Sequence, residues 1–414
     1  MAAVIHAEAH RAAERSARQS YGRLLAFLAA RNRDIAGAED ALADAFASAL
    51  RIWPAEGVPA NPDAWLLTAA RNRLTDAARR RQTRLAGLAH LTLIADEIGE
   101  ERGANDNAGI PDRRLALMFA CAHPAIERGL RAPLILQTLL GFTAAEIAAA
   151  FLVAPAAMGQ RLVRAKTRIR QTGIPFRVPE REELPERLEA VLEAIYAVYT
   201  HGWNEMGEAT PDRIADEAIW LGRLVVSLLP GEPEAKGMLA LMLYAEARRT
   251  ARRDARGAYV PLEEQDTGLW DIGLIEAAET LLNEANAAGP SGRCQIEAAI
   301  QSAHVARRLA GRANWPAVLA LYDHLLALTG SPVVLLNRAV ALAEVKGPAA
   351  ALDSIAPLAV DPRMAGYQPY WAARAALLLA ANRKAEAHDA FTLAIGLSTD
   401  DAVRRYLLAR RDEC

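Results

Sequence analysis

Apolar residues recur at helical spacing along almost the whole chain, and no other feature restricts its fold so strongly. A clear case runs from Ile35 to Leu50, where the apolar positions in between are Ala38, Leu42, Ala45, Phe46 and Ala49. This spacing places the apolar side chains on one face of a helix. Ala, Leu, Arg and Glu dominate the composition and β-branched residues are sparse, which favours helix throughout. We therefore predict an all-α protein.

Charge is divided unevenly along the chain, although the net charge is only −2. Residues 1–175 contain 23 Lys and Arg against 17 Asp and Glu, whereas residues 176–414 contain 25 against 33. A basic first part followed by an acidic second part indicates that the first part meets nucleic acid and the second does not. Chance surface composition is the alternative explanation.

The cysteine pattern excludes several classes of site. Cys121, Cys294 and Cys414 form neither a CxxC pair nor a Cys/His ligand pattern, which argues for a reducing compartment and against disulfides or zinc. No stretch approaches 18 uninterrupted apolar residues, and the N-terminus lacks a cleavable signal. We expect a cytoplasmic protein with no membrane span, no metal and no cofactor.

Two connectors rich in Gly, Asn, Asp or Pro divide the chain at residues 86–112 and 173–179. The predicted domains are a first helical domain at 10–85, a flexible linker at 86–112, a second helical domain at 113–173 and a helical extension at 180–414.

The extension contains the trace of an internal repeat. Arg338, Ala351 and Ile355 are echoed 36 residues later by Arg374, Ala387 and Phe391. That offset is close to the tetratricopeptide period of about 34 residues. A non-repetitive helical bundle is the alternative.

A basic helix is predicted from Pro62 to about Arg84, with Asn61 as its N-cap. One side is apolar and the other is crowded with arginines, a charge pattern suited to phosphates and to stacking on unpaired bases. The residues of interest are Trp65, Arg71, Asn72, Arg73, Asp76, Arg79 and Arg80. Trp65 fits a buried core position equally well, and Asp76 is also spaced to pair with Arg79 or Arg80.

A helix-turn-helix is predicted between residues 143 and 171. Thr143 and Glu146 form a capping box, a short turn follows Phe151, and Pro155 begins the second helix. The residues expected to pack inside are Ile147, Phe151, Met158, Leu162 and Val163. The residues expected to face outward, toward the major groove and phosphates, are Gln160, Arg161, Arg164, Lys166 and Arg168.

These motifs resemble the sigma-70 family, and specifically the extracytoplasmic-function (ECF) group, which has regions 2 and 4 without regions 1.1 and 3. Ala38–Phe46 resembles the segment that docks on the β′ clamp helices of RNA polymerase. The segment from Asn61 to Arg81 resembles the part that melts and reads the −10 element. Residues 113–171 resemble region 4, which reads the −35 element and contacts the β flap. The family's usual Gln in the clamp-binding helix is Ala43 here, and its usual Thr-Val-Lys-Ser is residues 157–160, Ala-Met-Gly-Gln.

The resemblance implies partners and roles. Core RNA polymerase and promoter DNA are the expected partners, with Glu39, Asp40 and Asp44 pairing with clamp arginines; a solvated acidic face is the alternative. The extension is similar to a tetratricopeptide-like domain through residues 218–223, 247–266 and 367–374, and we expect it to bind a protein or peptide and to regulate the sigma domains.

Two other classes stay open at this point. A one-component DNA-binding regulator requires only residues 143–171, and a helical scaffold requires neither basic helix. No nucleophile motif, phosphate loop or metal-ligand spacing occurs, so we predict no catalysis.

Overall fold

Helices make up most of the chain in the computed structural model, which describes residues 2–32, 35–85, 113–172, 179–204, 213–289 and 291–414. No strand occurs in these ranges, where an isolated bridge joins Arg253 and Tyr259. The prediction of an all-α fold is therefore confirmed. The predicted linker at 86–112 and residues 173–178 of the second connector lie outside the described residues.

The chain divides into two compact units, Met1–Val198 and Tyr199–Cys414. The helices of the first unit are α1 (Ala2–Asn32), α2 (Ile35–Glu56), α3 (Pro62–Leu85), α4 (Arg113–Cys121), α5 (Arg128–Leu139), α6 (Ala144–Ala150) and α7 (Pro155–Thr172). Helix α8 (Leu184–Asn204) begins in the first unit and ends in the second.

Helices α1, α2 and α3 pack against one another around fully buried side chains such as Leu25, Leu42, Trp53 and Leu66. Helix α1 also packs against α4 and α5. Gly22 allows this approach, because a Cβ at that position would lie 1.9 Å from the carbonyl oxygen of Leu139. A larger residue at position 22 would force α1 and α5 apart.

Helices α6 and α7 are joined by a short turn and form an angle of 111°. The capping box is present: the Glu146 N–H donates to Thr143 Oγ1 at 3.2 Å, and the Thr143 N–H donates to Glu146 Oε2 at 2.7 Å. In the turn, Leu152 has a φ of +51°, a left-handed conformation that costs a non-glycine residue about 1 kcal/mol.

The interior of the α6–α7 pair is mostly the expected one. Ile147, Met158 and Leu162 are buried and Phe151 is half-buried, but Val163 is 65% exposed. The prediction that Val163 packs inside is wrong, because Val163 follows the buried Leu162 and is rotated about 100° from it around the helix.

The second unit contains α9 (Arg213–Leu228), α10 (Pro233–Ala247), α11 (Ile272–Ala288), α12 (Arg293–Val305), α13 (Arg307–Ala310), α14 (Trp315–Thr329), α15 (Pro332–Lys346), α16 (Pro348–Ile355), α17 (Pro362–Ala365), α18 (Gln368–Ala380), α19 (Lys384–Leu397) and α20 (Asp401–Arg411). Short 3-10 turns occur between some of them. Consecutive helices in this unit pack against each other, as in the pairs α15–α16 and α18–α19.

Helix α10 is central to the second unit, because it packs against α9, α11 and α12. Glu234, in its first turn, accepts the backbone N–H groups of Cys294 at 2.9 Å and Gln295 at 3.1 Å. These are two of the N–H groups that a helix leaves unpaired at its start. A side chain about sixty residues away therefore caps α12.

The arginines between α10 and α11 belong to the interior of the second unit. Arg248 is 9% exposed and donates to the Tyr244 carbonyl at 3.3 Å and to Gln301 Oε1. Arg253 pairs with Asp400, which also caps the start of α20. These contacts favour an inter-helix role for the arginines over the lining of an open groove.

Among the described residues, no single helix combines the length and apolar character needed to cross a membrane. One pair passes that test only jointly, Ala144–Ala150 with Pro155–Ile169, and it is sharply bent.

Candidate nucleic-acid interface

The N-terminus of α3 is fixed by its own cap. Asn61 Oδ1 accepts the N–H of Ala64 at 3.0 Å, and Pro62 is the first helical residue, as the sequence predicts. Trp65 packs edge-on against Trp53 with ring centroids 5.5 Å apart. Because Trp53 is buried, Trp65 supports the start of α3 from the core side and is only half-buried itself.

The predicted DNA-facing residues of α3 do not all point the same way. The guanidinium of Arg71 lies over the Phe27 ring of α1, 4.6 Å from its centroid, and the Arg71 Nε is buried without a hydrogen-bond partner. Asn72 and Arg73 are exposed. The side chains of Asp76, Arg79 and Arg80 lie outside the described residues, although the helix backbone continues to Leu85.

A cavity of about 270 Å³ lies between α1 and the start of α3. Its lining is mostly polar and small: Ala12, Arg15, Ser16, Ser20, Ala60, Asn61, Pro62 and Asp63. The Ser20 hydroxyl donates to Asp63 Oδ2 at 2.5 Å, which joins the two walls. Sequence reasoning missed the α1 residues of this cavity, because they contact α3 only after the chain folds.

The outward face of α7 carries a mixed set of polar and apolar groups. Gln160, Val163, Arg164 and Arg168 are exposed, and Arg164 Nη2 donates to Gln160 Oε1 at 3.3 Å. Arg161 is half-buried and pairs with Glu127 at 3.4 Å. Four of these side chains thus form one accessible surface, while Arg161 is turned toward the start of α5.

Lys166 is turned away from that surface. Its ammonium donates to both carboxylate oxygens of Glu39 on α2, at 2.7 and 2.9 Å. The two side chains retain only 23% and 22% exposure. The structure therefore joins a predicted DNA-binding residue to a predicted polymerase-binding residue.

The remaining acidic residues of α2 lie at the surface. Asp40 is exposed, and Asp44 is 4.0 Å from Arg73 of α3. Tyr21 of α1 lies nearby: its own burial, with smaller effects of Glu39 and Asp40, raises its pKa to about 12. Tyr21 stays neutral at physiological pH and adds no charge to this acidic face.

Metal chemistry finds no support in the parts of the chain described by the structure, where no group of three His, Cys, Asp or Glu side chains could hold an ion. The chemistry available at this interface is that of charge, hydrogen bonding and stacking.

Comparison with known proteins adds three findings. Residues 17–84 match the family model described as sigma-70 region 2, and residues 187–286 match a family of unknown function, DUF6596. An uncharacterized protein of Rhizobium meliloti (strain 1021) is 39% identical over 398 residues, covering 95% of this chain and 93% of the relative. No solved structure matches the chain.

Proposed function

The chain belongs to the sigma-70 family, and we propose that it is a sigma factor of the ECF group that binds core RNA polymerase and directs it to particular promoters. The match of residues 17–84 to sigma-70 region 2 is the observation that carries this proposal. Such a protein acts in the cytoplasm and performs no catalysis of its own.

The cavity beside the start of α3 suits the capture of a base from the −10 element. Pulling a base out of the stack costs a few kcal/mol, and a pocket can offset this cost with hydrogen bonds to the base edge. Ser16, Asn61 and Asp63 supply donors and acceptors at the cavity wall. Arg73 and the arginines that follow it on α3 would hold the single-stranded backbone.

The α6–α7 pair suits the reading of the −35 element. A helix-turn-helix joins two helices at about 90–120° through a short turn, and the observed 111° falls in that range. Gln160 and Arg164 are placed to contact base edges or phosphates of the major groove. The exposed Val163 adds an apolar contact suited to a thymine methyl group, a role that the sequence did not suggest.

The acidic face of α2 suits the polymerase clamp, and Asp40 and Asp44 are the members exposed to a partner. Opposite charges at a protein interface mainly speed association and select the partner. We assign Glu39 to the same interface, together with the flap contact of region 4.

For the extension we propose a tetratricopeptide-like domain that binds a peptide or protein and regulates the sigma domains. The pairs α15–α16 and α18–α19 support this proposal, because Ala351 and Ile355 in one pair and Ala387 and Phe391 in the other are buried at corresponding positions. Deleting residues 180–414 should change promoter output under at least one growth condition. Equal transcription under all conditions would contradict a regulatory role.

Co-purification with core RNA polymerase followed by run-off transcription on genomic fragments tests the main proposal. We expect a stable complex that initiates at a limited set of promoters. The double variant Gln160→Ala, Arg164→Ala should keep the complex and lose initiation at promoters that depend on a −35 element. Binding to duplex DNA without any association with polymerase would indicate a one-component regulator instead.

A further inference from the structure

The first unit contains a contact that separates the two activities proposed for it. Lys166 lies on the helix assigned to the −35 element, and Glu39 lies on the helix assigned to the polymerase clamp. Both oxygens of the Glu39 carboxylate accept hydrogen bonds from Lys166, so this carboxylate is already occupied by a cation of the same chain. A basic partner on polymerase would have to displace it.

The contact is supported by close packing as well as by charge. Helix α1 lies against α4 and α5, and Gly22 of α1 touches the backbone at Leu139 so closely that a Cβ would not fit. Cys121, at the end of α4, is fully buried; burial raises the pKa of its thiol well above the usual range, with Lys166 and Glu39 acting on it in opposite directions. The ion pair and the Gly22 contact are therefore parts of one interface.

This arrangement is incompatible with simultaneous binding to both promoter elements. At 3.4 Å per base pair, elements about 25 base pairs apart are separated by roughly 80 Å. In the structure, Lys166 of the helix assigned to −35 lies 2.7 Å from Glu39 of α2, and α2 packs directly on α3, the helix assigned to −10. One of the two helical groups must move away before both elements can be read.

We propose that the interface formed by Lys166, Glu39, Gly22 and Leu139 is an autoinhibitory latch, in which α7 occupies the polymerase-binding face of α2 until polymerase displaces it. This inference rests on the proposed function. The latch keeps free protein from binding promoters alone, because α7 leaves α2 only when the clamp competes for Glu39.

Labelling of the Cys121 thiol in the full-length protein, followed by peptide mass spectrometry, measures opening of the latch. Glu39→Lys and Lys166→Glu each place like charges together and should speed Cys121 labelling about tenfold, whereas the double swap should return it close to the wild-type rate. Asp40→Lys makes the same charge change on the neighbouring exposed residue and should leave the rate unchanged. Unchanged labelling in both single variants, or fast labelling in the double swap, would overturn the latch.

Gly22→Ala provides an uncharged route to the same opening. Alanine favours α1 as a helix, but its Cβ would collide with the Leu139 carbonyl, so the interface should open while circular dichroism shows an unchanged helix content. Gly396→Ala on α19 meets open space and is the matched control.

Affinity for core RNA polymerase then links opening to function. We expect Gly22→Ala to bind core polymerase severalfold more tightly than wild type and Gly396→Ala to bind equally. Fast Cys121 labelling without tighter binding would overturn the autoinhibitory role. Absence of polymerase binding in every variant, with the labelling pattern as expected, would contradict the proposed function and leave the α2–α7 contact itself established.

Discussion

Single side chains decide where several helices begin. Thr143 and Glu146 cap α6, Asn61 caps α3, and Asp400 caps α20 by accepting the N–H groups of Ala402 and Val403. Each cap satisfies donors that the helix cannot satisfy itself. The orientation of the proposed DNA-binding helices therefore depends on individual polar atoms at their ends.

Thr143→Ala should destabilise α6 locally by about 1 kcal/mol, because it removes the acceptor for the Glu146 N–H. Hydrogen exchange of residues 144–153 measures this local free energy. Thr167→Ala removes the same hydroxyl from the middle of α7, where it bonds only to the Val163 carbonyl, and should have little effect. Equal protection of α6 in both variants would show that the cap contributes nothing.

His304 should make the second unit sensitive to acid. It is 9% exposed, and burial, with Arg248 and Arg307 adding to the effect, lowers its pKa to about 4 from 6.5. The unfolded state thus binds more protons between pH 4 and 6.5, so this contribution is complete above about pH 6.5 and is lost as the pH falls toward 4. A shift of this size corresponds to about 3 kcal/mol.

The measurement is the stability of the second unit against pH in wild type and in His304→Phe, which keeps an aromatic ring near Trp315. Stability of the variant should fall less steeply between pH 6.5 and 4. His388→Phe replaces an exposed histidine and should follow wild type. Parallel curves for wild type and His304→Phe would mean that His304 does not titrate in this range.

At the scale of elements, close helix approaches depend on glycine. In α10, a Cβ at Gly237 would lie 2.7 Å from the Gln295 nitrogen and 3.0 Å from the Cys294 carbonyl carbon. Both atoms belong to the backbone of α12, which cannot yield as a flexible side chain would. The α10–α12 crossing thus depends on the absence of a side chain.

Gly237→Ala should destabilise the second unit by about 1–3 kcal/mol, because overpacking outweighs the gain in helix propensity. Gly396→Ala in α19 makes the same change in open space and should stabilise by up to about 1 kcal/mol. Thermal melting of both variants gives the comparison, and a stabilised Gly237→Ala protein would contradict the close approach.

Local features of the elements could be predicted from the sequence, and distant pairings could not. The expected helices at 143–151 and 155–171 are α6 and α7, and the cap at Asn61 is where it was expected, because caps and periodicity act over a few residues. Lys166–Glu39 joins residues 127 apart, and Arg71 turns onto Phe27 of another helix. No local pattern encodes such contacts, so half of the predicted interface has partners that the sequence concealed.

At the scale of the whole molecule, the uneven charge becomes a prediction about salt. Promoter binding should weaken with added salt, and each phosphate contact contributes about 0.9 to the slope of log K against log salt. If Arg164 and Arg168 of α7 contact phosphates, changing both to Gln should reduce the slope by about 2.

The matched control changes Arg312 and Arg405 to Gln, which alters the net charge equally but affects exposed arginines of the second unit. Its slope should equal that of wild type. Binding of the polymerase complex to a promoter fragment at several salt concentrations gives both slopes. An equal reduction in the two variants would mean that net charge, and not the α7 surface, sets the salt dependence.

The cap that Glu234 provides for α12 also sets an order of events during synthesis. Glu234 is translated about sixty residues before Cys294, which at 5–20 residues per second is a lead of roughly 3–12 s on the ribosome. The carboxylate is therefore in place before the N–H groups it accepts have been made. Newly made α12 can complete its first turn on α10 as it emerges, so vectorial translation favours the native pairing over competitors encoded further along the chain.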